Sequence, residues 1–246
     1  MRVLVVTAVP VERDAVTRAF TDRPQVLYVP GAELHRAGDF DVVAGGAGPA
    51  SAAATAAFAL ASGAGAGAGP GADAGEGPYG LVVSAGIGGG FAPGAPVGSL
   101  VVASGIVAAD LGAETPDGFV PVTALGFGRE RFVPPPALVR DVAAATGALT
   151  GEVLTVSTVT GSAERAAALR TAHPHAAAEA MEGFGVAEAA ERLRVPVLEI
   201  RAVSNAVGPR DRDAWRIGDA LAALTEAFGK LIPVLEGWTT HHDRHH

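Results

Sequence analysis

The chain has 246 residues, of which 49% are hydrophobic and 18% charged, a composition typical of one large globular domain with a buried core. A net charge of −8, with Lys230 as the only lysine, argues against a nucleic-acid partner, and the absence of cysteine excludes disulfides and thiolate catalysis. Neither a signal peptide nor a membrane span is recognisable, so we expect a cytoplasmic protein with no membrane partner.

The first part of the chain alternates short apolar runs with helical patterns. Residues 2–7 predict a buried strand, and Pro10 suits the first turn of a helix that continues over 11–20. Residues 41–44 predict a second strand, which an alanine-rich helix follows to about Leu60. These elements begin an alternation of strands and helices that continues along the chain.

The segment 62–80 consists almost entirely of Gly, Ala and Pro. Such a segment buries too little apolar surface to offset its ordering entropy, so we predict a flexible surface loop there. The next strand, 81–83, ends in a glycine-rich turn at 84–91. Further strands are predicted at 100–103, 153–157 and 197–204, and helices at 163–171, 181–194 and 213–235.

The alternation of strands with helices predicts an α/β fold with three αβα layers around a central mixed, largely parallel sheet. We expect a single domain over 1–238 and a disordered tail over 239–246. Ligands of such folds bind at the carboxyl ends of the strands, so the residues that follow each strand are the candidates for function.

Two glutamates open predicted helices that follow polar or strand-terminal segments. Glu12 lies in the first turn of the first helix, where the helix dipole favours a carboxylate. Glu182 opens the helix at Met181-Glu182-Gly183, and a carboxylate aimed into a cleft can accept hydrogen bonds from both hydroxyls of a ribose. An ordinary acid at the start of a surface helix is the alternative for each, and position alone favours that alternative for Glu12.

Two other features lie at strand ends. Glycines at 86–90 would let backbone amides approach a ligand closely, although neither a phosphate-binding loop nor a dinucleotide-binding pattern fits the spacing. Ser204 and Asn205 end an apolar strand, where they are either turn formers or groups that face a ligand.

In this order along the chain, these features resemble the purine nucleosidase branch of the nucleoside phosphorylase family, typified by methylthioadenosine/S-adenosylhomocysteine nucleosidase. The resemblance covers nearly the whole chain, and its specific parts are the Met-Glu pair before residue 183 and the Arg-Ala-Val-Ser run that begins at residue 201. It implies an enzyme that cleaves the bond between a purine base and ribose. The implied partner is a small-molecule nucleoside, with no cofactor or metal, and the implied assembly is a homodimer or larger homo-oligomer.

The resemblance also implies a role for individual residues. Glu12 would activate the attacking water, and Glu182 would hold the 2′- and 3′-hydroxyls with Met181 packed against the sugar. Asn205 stands where adenine-cleaving relatives have the aspartate that protonates the departing base. The remaining candidates for substrate binding are Gly86, Ile87, Gly88, Thr158, Val159, Thr160 and Arg210.

Asn205 in place of an aspartate predicts a different base. A 6-oxo purine presents two acceptors, N7 and O6, to which a carboxamide NH₂ can donate and which an ionised carboxylate would repel. An unpaired buried acceptor costs about 1–3 kcal/mol, enough to set a preference. We therefore expect hypoxanthine or guanine as the leaving base, with its proton coming from solvent because a carboxamide is a poor acid.

Water is the predicted nucleophile, because residues 84–91 contain no basic side chain and Glu12 would repel an anion such as phosphate. One group within this branch cleaves a hypoxanthine nucleoside that carries a carboxyphenyl ketone, and residues 203–211 with Trp215 resemble it. Its carboxylate would need Arg210 or Arg212, for which an exposed arginine at a helix start is the alternative. Three other functions remain open: a methylthioadenosine/S-adenosylhomocysteine nucleosidase, a catalytically silent nucleoside-binding protein, and a phosphorylase of inosine or guanosine.

Overall fold

The computed structural model describes residues 1–65 and 79–242. Within these residues the strands are β1 (Arg2–Thr7), β2 (Gln25–Val29), β3 (Ala32–Ala37), β4 (Phe40–Ala44), β5 (Tyr79–Gly90), β6 (Leu100–Ala108), β7 (Gly112–Thr115), β8 (Gly118–Pro121), β9 (Arg131–Phe132), β10 (Leu149–Thr155), β11 (Ala176–Ala180) and β12 (Val197–Ala206). The helices are α1 (Pro10–Thr17), α2 (Pro49–Gly65), α3 (Pro136–Thr146), α4 (Ala163–Ala172), α5 (Gly183–Arg192) and α6 (Ile217–His242), with a short 3₁₀ helix at Arg212–Ala214.

Among the described residues, ten strands form one mixed sheet in the order β11-β10-β6-β12-β5-β1-β4-β3-β2, with β9 paired to β6. The central strands β4, β1, β5 and β12 are parallel to one another. Strand β12 is antiparallel to β6, and β11 pairs antiparallel with the end of β5 as well as parallel with β10. The half of the sheet from β5 to β11 therefore closes on itself.

Helices cover both faces of the central strands, which explains why those strands are apolar along their whole length. Leu4 and Val6 of β1 pack towards α2 and α5, whereas Val3 and Val5 pack towards α1, α3 and α6. Alternate residues of one strand thus serve two separate cores. This three-layer α/β arrangement around a mixed sheet confirms the predicted fold class.

The final helix, α6, differs from the prediction at both ends. It begins at Ile217 rather than at 213, because residues 212–214 form the 3₁₀ turn, and it continues to His242. The prediction of a disordered tail is therefore wrong for 239–242, while residues 243–246 lie outside the described part of the chain. Leu224, Phe228 and Leu231 are fully buried at helical spacing, so one apolar face of α6 packs against the core.

The predicted loop at 62–80 is wrong at its two ends. Helix α2 continues to Gly65, because alanine-rich sequence favours helix, and β5 already begins at Tyr79. The rest of the predicted loop, 66–78, lies outside the described residues. Within those described, no helix is both long and apolar enough to cross a membrane.

The glycine-rich segment after residue 83 is a strand rather than a turn, since β5 continues to Gly90. Its glycines permit close packing of neighbouring chain: a Cβ atom on Gly88 would lie 2.8 Å from the carbonyl oxygen of Glu179 in β11. The missing side chains therefore let β11 close against β5.

The prediction also placed the start of α5 too early and missed several strands. Met181 and Glu182 precede α5, which begins at Gly183 with Glu182 as its N-cap. Strand β11 lies in the polar stretch before that helix, for which the sequence predicts no strand. The hairpin of β2 and β3 is also absent from the prediction, because the alternation of exposed and buried residues along these strands is weak.

Candidate active site

A cavity of about 200 Å³ opens where the carboxyl ends of β1, β5, β11 and β12 meet. Most of the residues predicted from the sequence line its wall, namely Glu12, Ile87, Gly88, Val159, Thr160, Met181, Glu182, Asn205 and Arg210. Gly86 lies beneath the cavity rather than in its wall. Thr158 is exposed outside it, because only the residues after it turn inward.

Glu12 is a buried carboxylate held by backbone amides. Its Oε2 accepts from the amides of Ala8 and Val9 at 2.9 and 3.2 Å, and its Oε1 accepts from the amide of Ile87 at 2.9 Å. Burial raises the pKa of Glu12, although the Ile87 amide and the charge of Arg201 partly offset this. Glu12 is therefore not a surface acid: its carboxyl group is fixed in the cavity wall and is a stronger base than an exposed glutamate.

Glu182 faces the same cavity from the start of α5. Its Oε1 accepts from the amide of Gly48 at 3.2 Å, and its Oε2 accepts from its neighbour Met181 at 3.3 Å and pairs with Nη1 of Arg201 at 3.3 Å. Only 5% of Glu182 is exposed. These contacts orient the carboxylate while leaving lone pairs for a ligand.

Arg201 links the two carboxylates from beneath the cavity, a role that its sequence motif did not reveal. Its side chain is 1% exposed, and Nη2 donates to Oγ of Ser84 at 2.9 Å. A Cβ atom on Gly86 would lie 2.7 Å from Oε1 of Glu12 and 2.8 Å from Nη1 of Arg201. Gly86 therefore contributes space, not a ligand contact: only glycine lets carboxylate and guanidinium share this position.

Asn205 lies in the opposite wall, at the end of β12. Its Nδ2 donates to the carbonyl of Ala206 at 3.0 Å, and its Oδ1 accepts from Oγ of Ser204 at 2.8 Å. A carbonyl oxygen can only accept, so the Ala206 contact fixes which side of the amide carries the nitrogen. The second N–H of Asn205 remains available to a ligand acceptor.

The segment 159–160 is fixed to β11 by a glutamate that the sequence reasoning missed. Oε1 of Glu179 accepts from the amide of Thr160 at 2.8 Å, and Oε2 accepts from its hydroxyl. Burial raises the pKa of Glu179, and the bonds from Thr160 oppose this. Glu179 thus positions Val159 and Thr160 over the cavity.

Arg210 and Trp215 form the outer rim. The guanidinium carbon of Arg210 lies 5.3 Å from the centroid of the Trp215 ring, within range of a cation–π contact. Arg212, the alternative candidate, does not line the cavity. No group of three or more potential ligands within the described residues is placed to hold a metal ion.

Comparisons with known proteins assign the chain to a family. The model of the phosphorylase superfamily matches residues 12–234. A futalosine hydrolase of Streptomyces coelicolor is 64% identical over 242 residues, covering 98% of this chain and 99% of that protein. A futalosine hydrolase of Acidothermus cellulolyticus is 40% identical over 233 residues, covering 93% and 89% of the two chains.

Two solved structures share the fold at low sequence identity. A methylthioadenosine/S-adenosylhomocysteine nucleosidase of Colwellia psychrerythraea, in complex with adenine, has a TM-score of 0.76 at 23% identity and covers 96% of this chain and 95% of its own. A futalosine hydrolase of Helicobacter pylori has a TM-score of 0.76 at 17% identity, with coverage of 95% and 97%.

The fold and the matched family model define a member of the phosphorylase superfamily. This confirms the resemblance to its nucleosidases that the sequence motifs indicated. Within the superfamily, full-length identity of 64% and 40% to two futalosine hydrolases shows that the chain belongs to the futalosine hydrolase family.

Proposed function

We propose that this protein hydrolyses the N-glycosidic bond of futalosine, releasing hypoxanthine and dehypoxanthine futalosine in the futalosine pathway of menaquinone biosynthesis. The observation that carries the proposal is the arrangement of Glu12 and Glu182 around one buried arginine, with the amide of Asn205 in the facing wall. Membership of the futalosine hydrolase family supports the same substrate.

Glu12 activates the attacking water. Three backbone amides hold its carboxylate, and burial raises its pKa, so it is a stronger base than an exposed glutamate. The water oxygen attacks C1′ while its proton moves to Glu12. The C1′–N9 bond breaks, its electron pair leaves with hypoxanthine, and hypoxanthine takes a proton from solvent.

Glu182 accepts hydrogen bonds from the 2′- and 3′-hydroxyls, and Met181 packs against the sugar. As the C1′–N9 bond breaks, positive charge develops on the ribose ring. Two fixed and buried carboxylates in the cavity wall stabilise that charge more in the transition state than in the substrate. Glu182 thus serves binding and catalysis together.

Asn205 reads the base. Its nitrogen side is fixed by the Ala206 carbonyl, so the second N–H is left to donate a hydrogen bond to the acceptor edge of hypoxanthine that N7 and O6 form. Backbone and side chains of Val159 and Thr160 cover the ring, and Ile87 and Gly88 line its other side. An adenine base would present an amino group to this donor, and its binding would therefore be weaker.

Water is favoured over phosphate because the cavity wall, as far as the structure describes it, contains Arg210 as its single basic side chain. That arginine stands at the rim, against Trp215, where it can pair with the carboxylate of the substrate's carboxyphenyl group. Glu12, placed where a phosphate would have to attack, would repel it.

We further propose a cytoplasmic homodimer or larger assembly. Val9 and Phe58 line a neighbouring pocket that shares Ala8 with the cavity, and they are 39% and 49% exposed. A second copy that covers these side chains would also shield the outer cavity from solvent. Light scattering of the purified protein tests this assembly.

The test of function is product analysis with futalosine and, separately, methylthioadenosine in phosphate-free buffer. Hypoxanthine from futalosine alone supports the proposal. Adenine from methylthioadenosine would favour a methylthioadenosine/S-adenosylhomocysteine nucleosidase, the alternative that the fold shared with the Colwellia nucleosidase supports. Cleavage that requires phosphate indicates a phosphorylase, and binding without cleavage indicates a catalytically silent nucleoside-binding protein.

A further inference from the structure

Glu199 is a buried carboxylate beneath the cavity that the proposed chemistry does not use. It lies on β12 two residues before Arg201, so both side chains point to the same face of the sheet. Its Oε1 accepts from Nε of Arg201 at 2.9 Å, and its side chain is 0% exposed. A buried carboxylate is costly unless it is well paired, so this position calls for an explanation.

The arginine contacts divide the guanidinium among separate partners. Nε binds Glu199, Nη2 binds Ser84, and Nη1 faces Glu182 and the gap at Gly86. Because the guanidinium is planar, holding Nε and Nη2 fixes the direction of Nη1. Glu199 therefore determines how the arginine meets the two carboxylates of the cavity.

The packing around Glu199 is equally specific. A Cβ atom on Gly183 would lie 2.1 Å from Oε2 of Glu199, so the carboxylate lies directly against the first residue of α5. That Oε2 is buried without a hydrogen-bond partner among the described residues. The chain thus keeps a poorly solvated carboxylate where a neutral side chain would fit, which points to a function for its charge.

We propose that Glu199 is a positioning residue for hydrolysis: it orients Arg201 and takes up part of its positive charge, so that Glu12 remains basic enough to activate water. This rests on the proposed function, which assigns Glu12 as the base. A cation near a carboxylate lowers its pKa and makes it a weaker base. Sharing Arg201 with Glu199 limits that effect on Glu12.

The effect of Glu199 depends on its ionisation. Burial raises the pKa of Glu199 to about 7, and the charge and hydrogen bond of Arg201 oppose this while Glu182 adds to it. Arg201 and Glu182 are the charged groups that face it, with Ser84 and Gly183 completing its surroundings. Glu199 therefore gains its charge, and with it its influence on Arg201, as pH rises through neutrality.

Glu199→Gln tests the proposal, because it retains the shape and an acceptor for Nε while it removes the charge. We expect kcat to fall about 3- to 10-fold at pH 8 with KM changed less than about twofold, and the acidic limb of kcat to move to lower pH by about half a unit or more. The ratio of wild-type to variant kcat should be largest at alkaline pH and should decrease as pH falls, because Glu199 of the wild type then loses its charge.

Glu152→Gln is the matched control, since Glu152 is another buried carboxylate that pairs with an arginine, Arg131, away from the cavity. It should leave the pH profile unchanged. Glu199→Asp keeps the charge and should leave the acidic limb at its wild-type position even if kcat falls. An acidic limb that does not move in Glu199→Gln, or moves equally in Glu199→Asp, overturns the proposal.

A measurement without substrate separates this proposal from the proposed function. The carboxyl carbon of Glu12, observed by NMR in protein labelled with ¹³C-glutamate and assigned through Glu12→Gln, reports its pKa directly. We expect that pKa to be lower in Glu199→Gln than in the wild type. An unchanged pKa overturns the role of Glu199, whereas absence of futalosine cleavage by the wild type overturns the proposed function alone.

Discussion

Two buried clusters of this protein use the same kinds of side chain in opposite proportions. Near the amino end of β4, Asp41 accepts from Arg2 at 2.7 Å, from Arg36 at 2.8 Å and from the hydroxyl of Tyr79 at 2.7 Å. Burial opposes the ionisation of Asp41, but hydrogen bonds from Arg36, Arg2 and Tyr79 outweigh it and hold its pKa below the ordinary value. One carboxylate here has more donors than it needs.

Beneath the cavity the proportion is reversed, since Glu12, Glu182 and Glu199 share the single guanidinium of Arg201. Burial raises the pKa of Glu12 and of Glu199, and the one arginine does not compensate fully. The first cluster satisfies its charges and stabilises the fold. The second leaves basic carboxylates in a cleft, the environment expected of groups that act on a substrate.

The largest effect on activity should follow from removing Glu12, the proton acceptor of the second cluster. Glu12→Gln removes the proton acceptor but retains the side chain's shape, so we expect kcat on futalosine to fall at least about 1000-fold with substrate binding near normal. Single-turnover kinetics and calorimetric titration measure the two quantities. Turnover that survives would remove the proposed mechanism.

Glu164→Gln is the control for this variant. Glu164 also lies in the first turn of a helix, α4, but it is exposed and does not line the cavity. In the sequence the two glutamates are alike, because each lies in the first turn of a helix, but Glu164 is an ordinary surface acid. We expect its turnover to equal that of the wild type.

Breaking the first cluster should affect stability and not catalysis. Asp41→Asn leaves Arg2 and Arg36 without their shared carboxylate, and because both arginines are partly exposed and can rehydrate, we expect a loss of about 2 kcal/mol in the free energy of unfolding. Urea denaturation at pH 7 measures this, and kcat should change less than about twofold.

The loss should be pH-dependent in a defined direction. Because the pKa of Asp41 is lowered in the folded state, its contribution is complete above about pH 4 and disappears as pH falls through the folded pKa. Asp14→Asn, at a partly exposed carboxylate that pairs with Arg13, should cost less than about 0.5 kcal/mol. A comparable loss in both variants would contradict the special status of Asp41.

The sequence predicts most of the central fold because apolar strands between helices have a strong periodicity. Strand β11 escapes prediction because Ala176–Ala180 is a run of small residues whose strand state depends on the glycines of β5 beside it. The same tertiary contact turns the predicted glycine turn into strand. Long-range pairing, rather than local propensity, decides both segments.

The candidate site is predictable where a polar residue lies at or beyond the carboxyl end of a strand, as do Glu12, Glu182 and Asn205. Arg201 and Glu199 lie inside a strand, and their importance appears only through burial. A signal nevertheless exists in the sequence, because Glu199 and Arg201 interrupt the apolar run of β12 at alternate positions. Charged residues are rarely buried, so their presence in a buried strand indicates a special role. Glu179 had no such signal, because β11 was not recognised.

A smaller effect should follow from Asn205→Asp, which brings a carboxylate to the wall that faces the base. We expect kcat/KM on futalosine to fall about 10- to 100-fold, because the carboxylate oxygens would face N7 and O6 of the base, which are also acceptors. The loss on methylthioadenosine should be smaller. Ser204→Ala removes the hydroxyl that contacts Oδ1 of Asn205 and the carbonyl of Gly88, and it should lower kcat/KM on futalosine less than about tenfold. Equal losses on both substrates would show that Asn205 does not distinguish the bases.

The smallest expected effect distinguishes the clusters by the sign of their pH dependence. The pKa of Glu199 is raised to about 7 in the folded state, so its protonated form favours folding below about pH 4.5, and that contribution is lost as pH rises to about 7. Between pH 5 and 8 the free energy of unfolding of the wild type should therefore fall by at least about 1 kcal/mol more than that of Glu199→Gln. Urea denaturation across this range measures the difference. Asp41 acts in the opposite direction and below this window, so parallel curves for wild type and Glu199→Gln would mean that the carboxylates beneath the cavity are as well satisfied as Asp41.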